Sequence, residues 1–210
     1  MEKKILVCSG PSGVGKSSVI HKILEQKPDI YFSVSATTRE PRPSDVDGVT
    51  YRFLSREEFR KLIDTDALWE YNEYAGNYYG TPAAPLEEAL AEGKTVLLDV
   101  DPNGAFHVRQ HRPDATLVYI GAPSMAVVKA RLESRGDTPP EKIAARLAQA
   151  QWENRQAAQY DYIVINDDLD VCVGEVMSIL RGEDEARRFT ANNRKSVFEE
   201  ELKYALSTDV

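Results

Sequence analysis

Gly10-Pro11-Ser12-Gly13-Val14-Gly15-Lys16-Ser17 fits the phosphate-binding pattern G-x-x-x-x-G-K-[ST] at every fixed position. Gly10, Gly13 and Gly15 can take positive φ, so successive backbone N–H groups can turn toward one anion with no side chain in the way. Lys16 offers a point charge to the β- and γ-phosphates of a triphosphate, and Ser17 offers a hydroxyl to Mg²⁺. A helix that starts here adds an N-terminal dipole that favours the same anion. The flanks agree with this reading. Ile5, Leu6 and Val7 form a short apolar, largely β-branched run that predicts a buried strand, and Val19, Ile20, Ile23 and Leu24 recur at helical spacing.

With 210 residues, the chain has room for one well-buried α/β core with small inserted segments. A composition of 42% hydrophobic and 29% charged residues is that of an ordinary globular protein. No apolar run approaches the roughly 18 residues that span a bilayer, and the apolar stretch after Met1 is too short for a signal peptide, so no membrane partner and a cytoplasmic location are expected. Cys8 and Cys172 lack metal-ligand spacing and lie in apolar patterns, which predicts buried thiols. His107 and His111 are four apart on a predicted helix but lack the glutamate of H-E-x-x-H. A formal charge of −8 argues against nucleic acid as a partner, since a polyanion requires a basic face. A small anionic substrate needs only a few local cations, so the positions of the arginines matter.

Beyond the first helix, Tyr31 to Ala36 reads as a second strand, followed by Thr37-Thr38-Arg39-Glu40-Pro41-Arg42-Pro43. Here two arginines lie three apart in a proline-stiffened loop, either solvated or converging on an anion. Tyr51 to Leu54 predicts a short strand, and Ser55 with Glu58 a capping box at the head of a helix. Leu68 to Tyr71 and Tyr74 to Thr81 read as short antiparallel strands, in which Glu70 is a carboxylate among aromatics that needs a partner or exposure. Pro85 to Glu92 predicts a helix. A buried strand from Thr95 to Leu98 then runs into Asp99-Val100-Asp101, at the strand end where ligands gather in open α/β sheets. These acids either meet Mg²⁺, its waters or a substrate, or cap the next helix. Strands at Thr116 to Ile120 and Tyr162 to Ile165 follow, the latter ending in Asn166-Asp167-Asp168, and a helix from Leu169 to Leu180 closes the unit. Arg131 and Arg135 lie on one face of a helix and Arg146 on the next, joined by a turn at Gly136 to Pro140 that is expected to be mobile. They form a solvated face or a lid over phosphates. Val197 to Tyr204 predicts a further helix.

Together, Ser9 to Ser17, Phe32 to Arg42, Gly76-Asn77-Tyr78-Tyr79-Gly80-Thr81, Leu98 to Asp101 and Ile165 to Asp168 resemble the guanylate kinase family over about residues 4 to 181. The resemblance implies a P-loop three-layer α/β fold with a parallel core sheet, an inserted small GMP-binding domain with short antiparallel strands, and a helical lid. The implied division is a core ATP-binding domain at 1–34, 82–125 and 156–182, the GMP-binding domain at 35–81, a lid at 126–155, and an extension at 183–210 outside the resemblance. It implies phosphoryl transfer from ATP to GMP with Mg²⁺, dGMP being left open as a second acceptor and the assembly as monomer or homodimer.

Carried onto this chain, ATP falls on Gly10 to Ser18, with Asn166 near the adenine. The GMP phosphate falls on Arg39, Arg42, Tyr51 and Tyr79, and guanine on Ser35, Glu70, Thr81 and Asp101. Catalysis falls on Lys16, Arg39, Arg131, Arg135 and Arg146, and metal on Ser17, with Asp99 acting through water. Two departures stand out: Ser44-Asp45 where the family usually has Gly-Glu, and Asn103-Gly104 where it usually has Gln-Gly. The alternatives are a guanylate-kinase-like scaffold that binds phosphopeptides without catalysis, and a related phosphosugar kinase. The intact Lys16 and Ser17 speak against the first, and Glu70 with Thr81 against the second.

Overall fold

The computed structural model describes residues 4–43, 45–74, 76–135, 139–183, 186, 189 and 190. Ser44, the centre of the Gly136 to Pro140 turn, and the segment from 191 onward, including the helix expected at Val197 to Tyr204, lie outside the described residues. In chain order the elements are β1 (Ile5–Ser9), α1 (Lys16–Gln26), β2 (Tyr31–Phe32), β3 (Ala36–Thr37), β4 (Arg52–Phe53), α2 (Arg56–Asp64), β5 (Leu68–Tyr74) and β6 (Asn77–Pro82). They continue with α3 (Ala83–Ala91), β7 (Val96–Asp99), α4 (Pro102–His111), β8 (Thr116–Gly121), α5 (Met125–Arg135), α6 (Pro140–Gln156), β9 (Tyr162–Ile165) and α7 (Leu169–Arg181).

Five strands form a parallel sheet in the order β2-β7-β1-β8-β9. The period of two along a strand decides which helix layer each side chain meets. Leu6 and Cys8 face a core shared with α1, α5 and α7, whereas Ile5 and Val7 face one shared with α3 and α4. Both faces are covered, which is why these strands read as continuous apolar runs rather than alternating ones. Cys8 and Cys172 are both fully buried and neither is in a disulfide. No described helix is long and apolar enough to cross a membrane.

A second sheet has the order β4-β3-β6-β5 and packs Ala36, Leu68 and Tyr78 against Phe59 of α2. The capping box of α2 is present: Glu58 N–H donates to the Ser55 hydroxyl at 3.2 Å, and Ser55 N–H donates to the Glu58 carboxylate at 2.8 Å. The sheet is mixed: β3 and β4 pair in parallel, while β3–β6 and β5–β6 are antiparallel, the last being the antiparallel pair expected from the sequence. One expectation is corrected: Tyr31 to Ala36 is not one strand. Tyr31 and Ser33 donate their N–H groups to Thr95 and Leu97 carbonyls beside β7, whereas Ala36 and Thr37 pair with Gly80 and Tyr79 of β6. The run crosses from one sheet to the other at Val34-Ser35, a change of partner that residue type does not encode.

Candidate active site

The loop between β1 and α1 lies at the carboxyl end of the parallel sheet, and two of its glycines are dictated by neighbours. A Cβ on Gly10 would fall 2.1 Å from the Ile120 carbonyl oxygen, and one on Gly15 would fall 2.5 Å from Asn166 Nδ2; both residues have positive φ. Gly15 is the residue before α1, and Ser18 and Val19 N–H groups both bond its carbonyl, so Ser17 and Ser18 stand exposed at the helix start.

Lys16 Nζ lies 2.6 Å from Asp99 Oδ1 at the end of β7 and 3.3 Å from the Val100 carbonyl oxygen. Burial alone would lower the Lys16 pKa, but the Asp99 carboxylate outweighs it and holds the ammonium above its usual range. Asn166 is buried and donates from Nδ2 to the Val14 carbonyl at 2.8 Å. Arg131 donates to the same carbonyl at 2.9 Å and to the Asn166 carbonyl at 3.0 Å. Both side chains therefore brace the loop's backbone. Arg146 is half-buried on α6, and the Arg135 side chain lies outside the described residues.

Across the cleft, a cavity of about 220 Å³ is lined by Ser35, Tyr51, Glu70, Asn72, Tyr79, Gly80, Asp99, Val100 and Asp101. Two larger cavities exist, about 500 Å³ beside Arg109 and Asp161 and about 620 Å³ between Leu62 and Ala89, but neither adjoins the phosphate loop. The smaller one gathers most of the residues expected on the acceptor side.

Glu70 and Thr81 are directly opposed on β5 and β6, and the Thr81 hydroxyl donates to Glu70 Oε1 at 2.6 Å. The neighbouring Trp69 points to the other face, where its indole N–H meets Glu87 and it joins the core beneath β7. Glu70 is 9% exposed; this desolvation outweighs the Thr81 bond, Asp101 pushes the same way, and the carboxyl pKa rises to about 7. Gly104 makes room for it: a Cβ there would stand 3.1 Å from Glu70 Oε2. Asp101 caps α4, accepting from Gly104 N–H at 2.8 Å, so the capping alternative holds for this residue while it also lines the cavity.

A raised carboxyl pKa means that the fold favours the protonated acid. The penalty is absent below about pH 4.5 and grows until about pH 7, reaching about 3 kcal/mol at about 1.4 kcal/mol per unit. Glu70→Gln is therefore expected to stabilise the unliganded protein by about 2 kcal/mol more at pH 8 than at pH 5. Urea unfolding at the two pH values measures it; an equal change at both would show that burial of the charge is not the cause.

At the other end of the cavity, the Arg39 guanidinium lies 5.4 Å from the Tyr51 ring centroid and 5.6 Å from that of Phe53, and Tyr79 meets Tyr51 edge-on. Arg39 donates to the Glu40 carbonyl at 2.7 Å and to Asp45 Oδ2 at 2.8 Å, and the same Asp45 oxygen accepts from Arg42 N–H at 2.7 Å. The Arg42 side chain is exposed. Sequence reasoning registered Asp45 only as a departure and Gly104 only as half of one; an acid three residues beyond an arginine in a proline-stiffened loop is the signal that could have found the first. Among the described residues no group of three or more His, Cys, Asp or Glu side chains is placed to hold a metal ion. The Ser17 hydroxyl and Asp99 carboxylate are oxygen donors of the kind Mg²⁺ takes when it arrives on nucleotide phosphates.

The chain matches the family model for guanylate kinase over residues 2–183. The guanylate kinase of Synechocystis sp. is 47% identical over 182 residues, covering 87% of this chain and 95% of the relative. That of Symbiobacterium thermophilum is 43% identical over 205 residues, 98% of this chain and 96% of the relative. Its alignment runs past Gly182, whereas the family model ends at residue 183. A crystal structure of guanylate kinase from Anaplasma phagocytophilum superposes with a TM-score of 0.70 at 33% identity, covering 86% of both chains.

Proposed function

The chain belongs to the guanylate kinase family, and from that premise we propose how its cleft divides the work of the reaction. It is an ATP:GMP phosphotransferase, a nucleoside monophosphate kinase that transfers the γ-phosphoryl group of ATP to GMP and yields ADP and GDP. The observation that carries the division is that Asp99, the partner of Lys16, lines the same cavity as Glu70, Tyr51 and Tyr79. Donor and acceptor groups thus look into one space.

Phosphoryl transfer with metaphosphate-like character leaves little covalent work to side chains, so alignment and charge neutralisation decide the rate. GMP brings an already anionic nucleophile, and no strong general base is required. Loop N–H groups and Lys16 hold the ATP phosphates, with Arg131, Arg135 and Arg146 neutralising charge on the transferring group. Ser17 and, through water, Asp99 would hold Mg²⁺, which would supply further neutralisation of phosphate charge. Arg39, Arg42, Tyr51 and Tyr79 hold the GMP phosphate in line, while Ser35, Glu70, Thr81 and Asp101 recognise guanine. The division into core, GMP-binding domain at 35–81 and lid at 126–155 belongs to the same proposal. It is supported by the crossing from the first sheet to the second beyond Phe32 and the return at Pro82-Ala83. A cytoplasmic location fits an enzyme that draws on ATP and GMP.

Arg39→Lys or Arg42→Lys is expected to raise KM for GMP by about tenfold or more while ATP binding stays within about threefold, because lysine lacks the planar fork that meets a phosphate. Initial rates with each substrate varied in turn test this. Equal weakening of ATP and GMP would remove these arginines from the acceptor site.

A further inference from the structure

We infer that Asp45 is a positioning residue for the acceptor phosphate, which acts by holding the two clamp arginines in a fixed relation. The inference rests on the acceptor role proposed above for Arg39 and Arg42. One carboxylate oxygen, Asp45 Oδ2, takes both the Arg39 guanidinium at 2.8 Å and the Arg42 backbone N–H at 2.7 Å. The Asp45 side chain is only 10% exposed and that of Arg39 16%, although the loop around them is largely at the surface. The Arg42 N–H and the Arg39 guanidinium hold the Asp45 carboxyl below its usual range, so it is ionised wherever the enzyme works.

These bonds restrict Arg39 from several sides at once. The rings of Tyr51 and Phe53 lie against the guanidinium, the Glu40 carbonyl takes NH1 and Asp45 takes NH2. An arginine held this way loses little rotamer freedom when a phosphate arrives, and five N–H donors leave some for the ligand after two bonds are made. The bond from Arg42 N–H to the same oxygen closes the loop between the arginines, so their backbone spacing is set before GMP enters. The opposite possibility is that the carboxylate competes with the phosphate for Arg39. A competitor has no need to bind the Arg42 backbone as well, and the shared oxygen is what favours positioning.

The test is a double-mutant cycle in the whole enzyme, reading initial rates with GMP varied at saturating ATP and then the reverse. Asp45→Ala is expected to raise KM for GMP by about tenfold, with kcat and KM for ATP within about threefold. Asp45→Asn, which retains an acceptor for Arg42 N–H without the charge, should raise it less. In the Arg39→Lys background, Asp45→Ala should add less than about threefold, since the arginine through which it acts is gone. The wild-type enzyme in the same assay reports on the function separately: absence of GMP-dependent ADP release there would overturn that reading and this inference with it, whereas the outcomes below overturn this inference alone. Asp45 lies in a surface loop outside the hydrophobic cores, and Asp45→Asn is nearly isosteric, so a folded variant is available. An unchanged or lowered KM for GMP, an equal rise for ATP, or an undiminished effect in the Arg39→Lys background would each overturn the inference.

Discussion

Lys16→Ala is expected to lower turnover by at least about a hundredfold while the protein stays folded. The ammonium belongs to the phosphate loop itself and is held by Asp99 at 2.6 Å, ready to exchange that partner for phosphate oxygens. Its removal takes a positive charge from a transferring group whose negative charge is spread over its peripheral oxygens and the leaving group, in a site where that interaction cannot be supplied by water. The structural cost is small by comparison. The Lys16 side chain is 17% exposed and stands at the first residue of α1, so truncation opens no core cavity, and Asp99, 26% exposed, can turn to solvent. Turnover with ATP and GMP, beside a circular dichroism spectrum and a melting curve, separates the two effects. Near-normal phosphorylation of GMP by a folded variant would dismiss this loop as the donor site.

Glu70→Gln is expected to reduce selectivity for GMP over AMP by at least about tenfold, mostly through poorer use of GMP. Guanine presents N1–H and a 2-amino group, two donors that suit an ionised carboxylate. Adenine has no 2-amino group and turns an N1 lone pair toward the same oxygens, so it loses two attractive bonds and adds a repulsive one. Thr81 fixes the carboxylate from one side and the missing Cβ of Gly104 leaves space on the other. The pKa near 7 adds a second signature: without ligand the group is partly protonated at neutral pH, and guanine's two donors favour its ionised form, so GMP binding should release a proton. Glutamine keeps the volume but replaces one acceptor oxygen with a donor amide. Full GMP preference in the variant would make Glu70 a structural residue of β5.

The phosphate loop, the strand before it and the helix after it were legible because each rests on local chemistry: glycine spacing, a short apolar run and a 3.6-residue period. Glu70 was legible as an anomaly, since a carboxylate in an aromatic run must be answered somewhere, and the structure answers it with Thr81 one strand away. Ser35 and Thr81 could be singled out only through family resemblance, because nothing in a lone serine or threonine announces a ligand; Asp101 was marked by its place at a strand end, and only its assignment to guanine came from the resemblance. The division of Tyr31 to Ala36 between two sheets was not legible, as aromatic and β-branched residues satisfy either sheet equally well. Nor was the bracing of the Val14 carbonyl by Asn166 and Arg131, which depends on the end of β9 and the middle of α5 meeting at the loop. Such contacts between distant segments are set by topology, and residue type alone leaves them open.

ADP release measured with GMP, dGMP, AMP, CMP, UMP and a sugar phosphate as acceptors, at equal concentration and with Mg²⁺-ATP, tests the guanine-specific acceptor site most directly. GMP should outrun AMP by about 10⁴-fold, because adenine brings no pair of donors to the buried Glu70 carboxylate and turns an N1 lone pair toward it, and the pyrimidine nucleotides and the sugar phosphate should stay near the rate without acceptor. AMP or the sugar phosphate within about tenfold of GMP would contradict it, since a site built around a single carboxylate and hydroxyl pair for guanine cannot serve those acceptors equally.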